Sequence, residues 1–440
     1  MSPAAWCTPR QTRGPTMNFP KEKRPTKPIA TAGKKATARV GGKSTQRFEA
    51  KRDAIISAGS ELINREGVKG MTLAGVAERV GLSTTSVTYY FKLKEDLAVA
   101  CILRGIEQLE QLILGASGDT PPARIASFLT AYFDLAARIA NGLEPPFCVF
   151  NDIRALSKPN AATLLRAHNR MLAHMRGFFW IGSTPPELEQ VLNIRTLLLA
   201  AALYWTPLWT RQYDTEDYPR ICARMIDILL NGIAPDKKAT WNPAQLHFRF
   251  ENEPDQKEQF LIAATQLINE QGYHGASIDK ISARLDLTKG SFYHHLDTKD
   301  DLVAMCFQRT FGVIAAAQRS AMAQKGNGWM KLTSACAALM QFQFSNAGPL
   351  LEFAAFSALP STMVNTTVQL SGRVPHRFSE MISDGIIDGS VRPVDAYIAA
   401  QIITAAIVSA PEFVHTVSVQ TADEAIALLL QPIFSGLLKL

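Results

Sequence analysis

The chain has 440 residues, 47% of them apolar and 19% charged. That is enough for two to four domains at roughly 100–200 residues each, and too apolar for a mostly disordered protein. The formal charge is +7, with 46 Lys and Arg against 39 Asp and Glu. Such a surplus points to nucleic acid or an anionic membrane, so its location matters.

Residues 1–52 hold thirteen Lys or Arg against Glu22 and Glu49, a surplus of +11, and the rest of the chain is −4. Residues 1–44 are rich in Pro, Thr, Gly and Ala and lack the apolar residues that offset ordering entropy, so they read as a disordered basic tail. The tail fits a basic arm that follows DNA phosphates, and equally a solubilising extension. Met17 is a second candidate start. No continuous apolar segment follows the basic residues, as a secretory signal requires. The acid-poor composition is that of a transit peptide, but without an amphipathic period.

Residues 45–104 predict a head of short helices, with apolar faces at Ile56, Leu62 and Ile63, then Leu73, Val76, Ala77 and Val80. Thr72 caps one short helix, Gly81 permits the positive φ of a tight break, and Ser83 caps the next, Thr84 to Phe91. That is helix-turn-helix spacing. Val87 and Phe91 face the core, which leaves Thr84, Thr85, Thr88 and Tyr89 outward, where short polar groups reach base edges or phosphates in a major groove.

Residues 105–234 predict a body of long helices rich in aromatic residues. At helical spacing these are core in the first place. As a group, Phe128, Tyr132, Phe147, Trp180 and Trp205 also suit a pocket for a small apolar or aromatic effector, with Arg195, Asn151, Asp152 and His174 as polar candidates. The longest apolar stretches, Thr196–Trp209 and Ala396–Pro411, fall short of the roughly 20 residues of a membrane span and read as buried helices. Gly232 and Pro235 end the body, and 235–249 is a linker.

The order then repeats. An offset of 205 aligns Glu61–Arg104 with Gln266–Arg309 without a gap, with thirteen identities in 44 positions, among them Asn64/Asn269, Gly67/Gly272, Lys94/Lys299, Cys101/Cys306 and Arg104/Arg309. This is a repeat of a whole head and body, too long for a solenoid unit. Residues 250–309 form the second head, with Lys289, Gly290, Tyr293 and His294 outward, and 310–440 the second body, where Phe342 and Phe353 offer a second pocket lining. The fold class is all-α: two tandem units.

Gly81-Leu-Ser-Thr-Thr-Ser-Val-Thr-Tyr-Tyr-Phe-Lys-Leu-Lys-Glu-Asp-Leu97 resembles the signature of the TetR (TetR/AcrR) repressor family, as does Leu287-Thr-Lys-Gly-Ser-Phe-Tyr-His-His-Leu-Asp-Thr-Lys-Asp-Asp-Leu302. The resemblance is specific over about 60 residues in each copy. It implies a three-helix DNA-binding head joined through a fourth helix to a ligand-binding and dimerisation body. Lys94 and Lys299 then open the fourth helices and meet phosphate, and Tyr89, Tyr90, Tyr293, His294 and His295 fill the aromatic and histidine slots near the DNA backbone. Adjacent His294 and His295 face different directions on a helix, which does not make a metal site.

The sequence departs from the family pattern at Thr88, where Tyr is common, at Asp286, which replaces the turn glycine, and at Leu296, which replaces the core aromatic. Thr45–Arg104 carries +2 and Phe250–Arg309 carries −4, so the second head is the weaker DNA candidate. The resemblance also implies a four-helix dimer interface, formed here by 186–211 with 216–231 and 394–409 with 421–434. The two halves then pair within the chain, as a pseudo-dimer, or two chains form a homodimer.

The six cysteines lack C-x-x-C spacing, against a zinc site or a disulfide scaffold and in favour of core thiols in a reducing cytoplasm. Gly41-Gly-Lys-Ser44 lacks the earlier glycine and the preceding strand of a phosphate loop, and no catalytic motif or cofactor fingerprint occurs. The expected function is a cytoplasmic, ligand-responsive transcriptional repressor that binds double-stranded operator DNA and a small-molecule effector, requires no cofactor, metal or membrane, and associates with the bacterial nucleoid when DNA-bound. The alternative is a regulator or sensor in which only head 1 binds DNA and head 2 is structural.

Overall fold

Apolar residues three and four apart become helices along the whole described chain, and no strand forms among the described residues. The computed structural model describes residues 42–148, 153, 156–180, 182, 185–235, 241–247, 255–287, 298–352, 361–417 and 419–439. Unit 1 contains α1 (Gly42–Gly70), α2 (Leu73–Arg79), α3 (Thr84–Tyr90), α4 (Lys94–Gly115), α5 (Pro121–Ala140), α6 (Lys158–Arg176), α7 (Glu189–Trp209) and α8 (Tyr218–Asn231). Unit 2 repeats the order with α9 (Gln256–Gly275), α10 (Ile278–Arg284), α11 (Lys299–Met322), α12 (Gly328–Gln343), α13 (Ser361–Ile387) and α14 (Ala396–Thr416). Its last helix, α15, joins Ala422–Ala425, a π-wound turn Ile426–Leu430 and Gln431–Ser435. The counterpart of α3 falls within residues 288–297, outside the described residues.

Identical residues of the repeat make equivalent bonds. The first helix of each unit bends at the same glycine, Gly67 (φ 72°) and Gly272 (φ 71°). The Cys101 thiol reaches the Ile56 carbonyl at 3.3 Å, and the Cys306 thiol the Leu261 carbonyl at 3.7 Å, so the fourth helix grips the first in both heads. The Asn64 amide donates to the Phe147 carbonyl. Asn269 donates to the Leu350 carbonyl (2.8 Å) and accepts from the Glu352 N–H (3.0 Å). A buried Asn therefore ties each head to its body, satisfying groups that would be costly to bury alone. The five described cysteines are buried thiols outside any disulfide, and burial pushes the Cys101 and Cys306 thiols up to about 12.

Two differences from the sequence expectation concern the ends of the first head. Residues 42–44, assigned to the tail, belong to α1, because Lys, Gln, Arg, Glu and Ala from 43 to 52 favour helix and no Pro interrupts them. The second helix of the motif stops at Tyr90, and Phe91 leaves helical geometry at φ −135°.

The units meet along a seam. α7 packs on α14, and α8 packs on α14 and α15. By length and composition the segments Pro186–Gln212 and Ala396–Phe413 are apolar enough to cross a membrane, but each is mostly buried here. The Trp205 indole donates to the Gln401 amide oxygen (2.7 Å), and Trp209 meets Tyr397 edge-on at 6.4 Å. Ion pairs Arg224–Asp395 and Arg392–Asp227 (2.8 Å) cross the same seam.

The C-termini of α8 and α15 interlock. The Ile233 N–H donates to the Phe434 carbonyl, and the Leu437 N–H to the Leu229 carbonyl, both at 2.8 Å. The acceptors Leu229 and Phe434 lie 205 residues apart and the donors Ile233 and Leu437 204, so each unit donates to the other at nearly equivalent places, as at a pseudo-symmetric interface. Gly232 (φ 70°) and Gly436 (φ 101°) make the approach feasible: a Cβ on either would lie 2.2 Å from a carbonyl oxygen of the other unit, that of Phe434 or Leu230.

The linker is held against unit 2. Leu246 is buried, the Ala244 N–H donates to Ser334 (2.8 Å), and the rings of Trp241 and Trp329 abut Phe434 at 5.0 and 5.5 Å.

Candidate DNA interface and the bodies behind it

Head 1 is built by its caps and its turn. The Thr72 hydroxyl accepts from the Gly75 N–H (3.0 Å) and the Ser83 hydroxyl from the Ser86 N–H (3.1 Å). Between them Gly81 takes φ 64°, and the Leu82 N–H closes onto the Ala77 carbonyl (2.9 Å). Val76 and Val87 are fully buried, and Phe91 nearly so, which turns the other face of α3 outward. Thr84 and Thr85 are exposed, and Tyr89 is 75% exposed. Thr88 is half-buried, and its hydroxyl donates to the Thr85 carbonyl (2.9 Å).

Sequence reasoning missed Phe48. From the second turn of α1 its ring lies 4.7 Å from that of Tyr90 and 6.1 Å from that of Tyr89, with the two tyrosines edge-on at 5.3 Å. Beside it the Arg52 guanidinium covers Phe91 at 5.5 Å. The available signal was the absence of a helix breaker between 42 and 55.

Lys94 is half-buried at the first position of α4, beside an Asp96 carboxylate that accepts from the Leu93 N–H (3.1 Å). Next to it Glu95 reaches the body: its carboxylate accepts from the Ser157 N–H (2.6 Å) and the Asn160 amide (2.9 Å) at the start of α6. Those hydrogen bonds hold Glu95 below the usual carboxylate range. Further along α4, Glu110 takes a two-pronged bond from Arg170 of α6 (2.8 Å each), with His174 at 3.1 Å. The Arg170 fork holds Glu110 low against the opposing effect of burial. α4 and α6 of unit 1 are thus tied at both ends by carboxylates.

Head 2 keeps the turn with a different residue. Ser277 caps α10 through the Lys280 N–H (3.3 Å), Asp286 takes φ 54° where unit 1 has glycine, and the Leu287 N–H closes onto the Ser282 carbonyl (2.9 Å). Lys299 is half-buried at the first position of α11, after a Thr298 cap that accepts from the Asp301 N–H (3.1 Å). Lys289, Gly290, Tyr293, His294 and His295 lie outside the described residues.

The aromatic candidates separate. Phe128 is buried against Phe178 at 5.2 Å, and Tyr132 stacks on Phe147 at 6.3 Å while donating to the Leu203 carbonyl (3.3 Å). Trp180 is half-buried. Trp205 sits at the seam, and Phe342 lies beneath the Arg309 guanidinium at 5.6 Å. Arg195 also joins the seam, donating to the Lys439 carbonyl (3.0 Å). Phe353, Asn151 and Asp152 fall outside the described residues. A further polar pair in body 1 went unnoticed in the sequence: His168 Nε2 lies 3.2 Å from the Tyr204 hydroxyl, fully buried, and burial pulls the imidazole down to about 3.

The family profile described as bacterial regulatory proteins, tetR family, matches residues 55–101 and 260–306, two segments separated by the repeat offset. The chain is 35% identical over 191 residues to the HTH-type transcriptional regulator BetI of Burkholderia thailandensis, covering 41% of this chain and 94% of that protein. It is 34% identical over 91 residues to the transposon Tn10 TetC protein of Escherichia coli, covering 19% of this chain and only 46% of that protein. Among solved structures, a tetR-family regulatory protein from Rhodococcus RHA1 aligns at 19% identity and a TM-score of 0.36, covering 42% of this chain and 98% of that one. With the helix-turn-helix head matched at both places and nearly the whole length of a transcriptional regulator covered by one unit, the chain belongs to the TetR family of DNA-binding regulators, with the family unit duplicated in tandem.

Proposed function

We propose that one chain does the work of a dimer: a ligand-responsive repressor whose two heads grip one operator and whose two bodies pair through their own seam. The reciprocal backbone bonds between the ends of α8 and α15 carry this reading, because they satisfy within one chain the contacts that a symmetric partner would make. Thr84, Thr85, Thr88, Tyr89 and Tyr90 face DNA from head 1, Lys289, Gly290, Tyr293, His294 and His295 from head 2, and Lys94 and Lys299 hold phosphates. The heads differ, so the operator has unlike halves, spaced by about one helical turn, roughly 34 Å.

A small apolar or aromatic effector enters a body near Phe128, Tyr132, Phe147 and Trp180 in unit 1, or Phe342 and Phe353 in unit 2. In unit 1 it acts on α6, and the Glu95 and Glu110 ties pass the shift to α4 and the head. The protein acts in the bacterial cytoplasm, at the nucleoid when bound to DNA.

Analytical ultracentrifugation of the chain with a duplex selected from random DNA tests the pseudo-dimer: one chain per duplex is expected. Two chains on a perfect palindrome would replace it with a homodimer of head 1. The second reading, in which head 1 alone contacts DNA, draws on the net charges of the heads, +2 and −4. Lys289→Ala and Lys299→Ala distinguish the two: unchanged affinity favours head 1 alone.

A further inference from the structure

The two heads differ at the start of their first helix. Unit 2 begins α9 at Gln256 behind an Asp255 cap, with the Glu258 N–H donating to it at 2.7 Å, and Pro254 precedes the cap. The position equivalent to Asp255 in unit 1 is Ala50, already eight residues inside α1. α1 therefore begins more than two helical turns before the position equivalent to the start of α9. The charge differs as well: residues 42–52 hold Lys43, Arg47, Lys51 and Arg52 against Glu49, for +3, whereas the equivalent 247–257 holds Arg249 and Lys257 against Glu251, Glu253 and Asp255, for −1.

The added turns are fixed to the helix that faces DNA. Phe48 packs against both Tyr89 and Tyr90 at the end of α3, with ring centroids 6.1 and 4.7 Å apart. Arg47 and Lys51, one turn apart on α1 and both exposed, stand one residue before and three after Phe48.

We propose that the amino-terminal turns of α1 are a phosphate clamp particular to head 1, in which Phe48 positions Arg47 and Lys51 beside α3 so that both meet the backbone of the same duplex. The partner is double-stranded DNA, recognised through its phosphates and not its bases. The clamp makes head 1 the anchoring half of the molecule and leaves head 2 to supply the second contact. The inference rests on DNA binding by head 1.

Salt dependence reads the clamp directly, because each neutralised phosphate contributes about 0.9 to the slope of log affinity against log salt. With a duplex selected from random DNA by the unaltered chain, Arg47→Ala with Lys51→Ala is expected to flatten the slope by about 1.8. Arg373→Ala, an exposed arginine of α13, removes charge far from the heads in sequence and leaves the slope unchanged. Phe48→Ala keeps every charge yet flattens the slope, and Phe48→Trp restores it; a ring serving only stability would alter the melting temperature and not the slope. An unchanged slope in the Arg47 and Lys51 double variant, with Lys94→Ala still weakening binding, overturns the clamp and leaves DNA binding by head 1 intact. Failure of the unaltered chain to select any duplex overturns both.

Discussion

At the scale of single residues, two positions carry strain or burial with a measurable consequence. Asp286 holds a left-handed φ of 54°, which costs an L-residue roughly 1–2 kcal/mol relative to glycine. Asp286→Gly is expected to stabilise the chain by about 1 kcal/mol in urea unfolding. Gly81→Ala, at φ 64° with open space around the new Cβ, should cost a similar amount by strain alone. His168 gives the pH dependence. Unfolded, an imidazole takes a proton near 6.5, but in the fold only near 3. Between those values the unfolded state holds the extra proton, so stability falls on acidification by about 1.4 kcal/mol per pH unit. Urea unfolding at about pH 7.5 and about pH 5 should show the chain losing about 2 kcal/mol more than a His168→Gln variant.

At the scale of elements, the ends of α8 and α15 leave no room for a side chain. Gly232→Ala or Gly436→Ala would set a methyl 2.2 Å from a carbonyl oxygen at a positive φ. Each should cost about 3 kcal/mol or more, read as a lowered melting temperature. The double variant should cost less than the two single losses together, because both break one shared contact. The α4–α6 ties behave differently: Glu95→Gln leaves the fold intact but weakens the bond to the Ser157 N–H, since a neutral amide accepts less strongly than a carboxylate. DNA affinity should then respond less to effector, measured by titration with and without it.

At the scale of the molecule, the seam makes one folding unit of two repeats. α7 and α14 bury apolar faces on each other, and Trp205, Gln401, Arg195 and the Arg392–Asp227 pair bond across them. Neither body completes its core without the other, so calorimetry of the chain should show one cooperative transition, with van't Hoff and calorimetric enthalpies in agreement. Two resolved transitions would mean that the seam forms after the units fold.

The sequence by itself determined the repeat, the helical class, the turn chemistry of both heads and the faces of α2 and α3, because caps, breaks and apolar spacing are local properties of a helix. Thr72, Gly81, Ser83 and Val87 stand where their local chemistry put them, and Phe91 is buried but one residue past the end of α3. Phe48, Glu95, His168 and the roles of Trp205 and Arg195 were decided only by tertiary structure. Each of these acts on a residue far away in the chain, Tyr90, Ser157, Tyr204, Gln401 and Lys439 respectively, and side-chain spacing along one helix says nothing of what a second helix brings to it. The aromatic run of body 1 illustrates the limit: periodicity placed Phe128 and Trp205 in a buried face alike, and only the packing of unit 2 on α7 assigned one to the body's interior and the other to the seam.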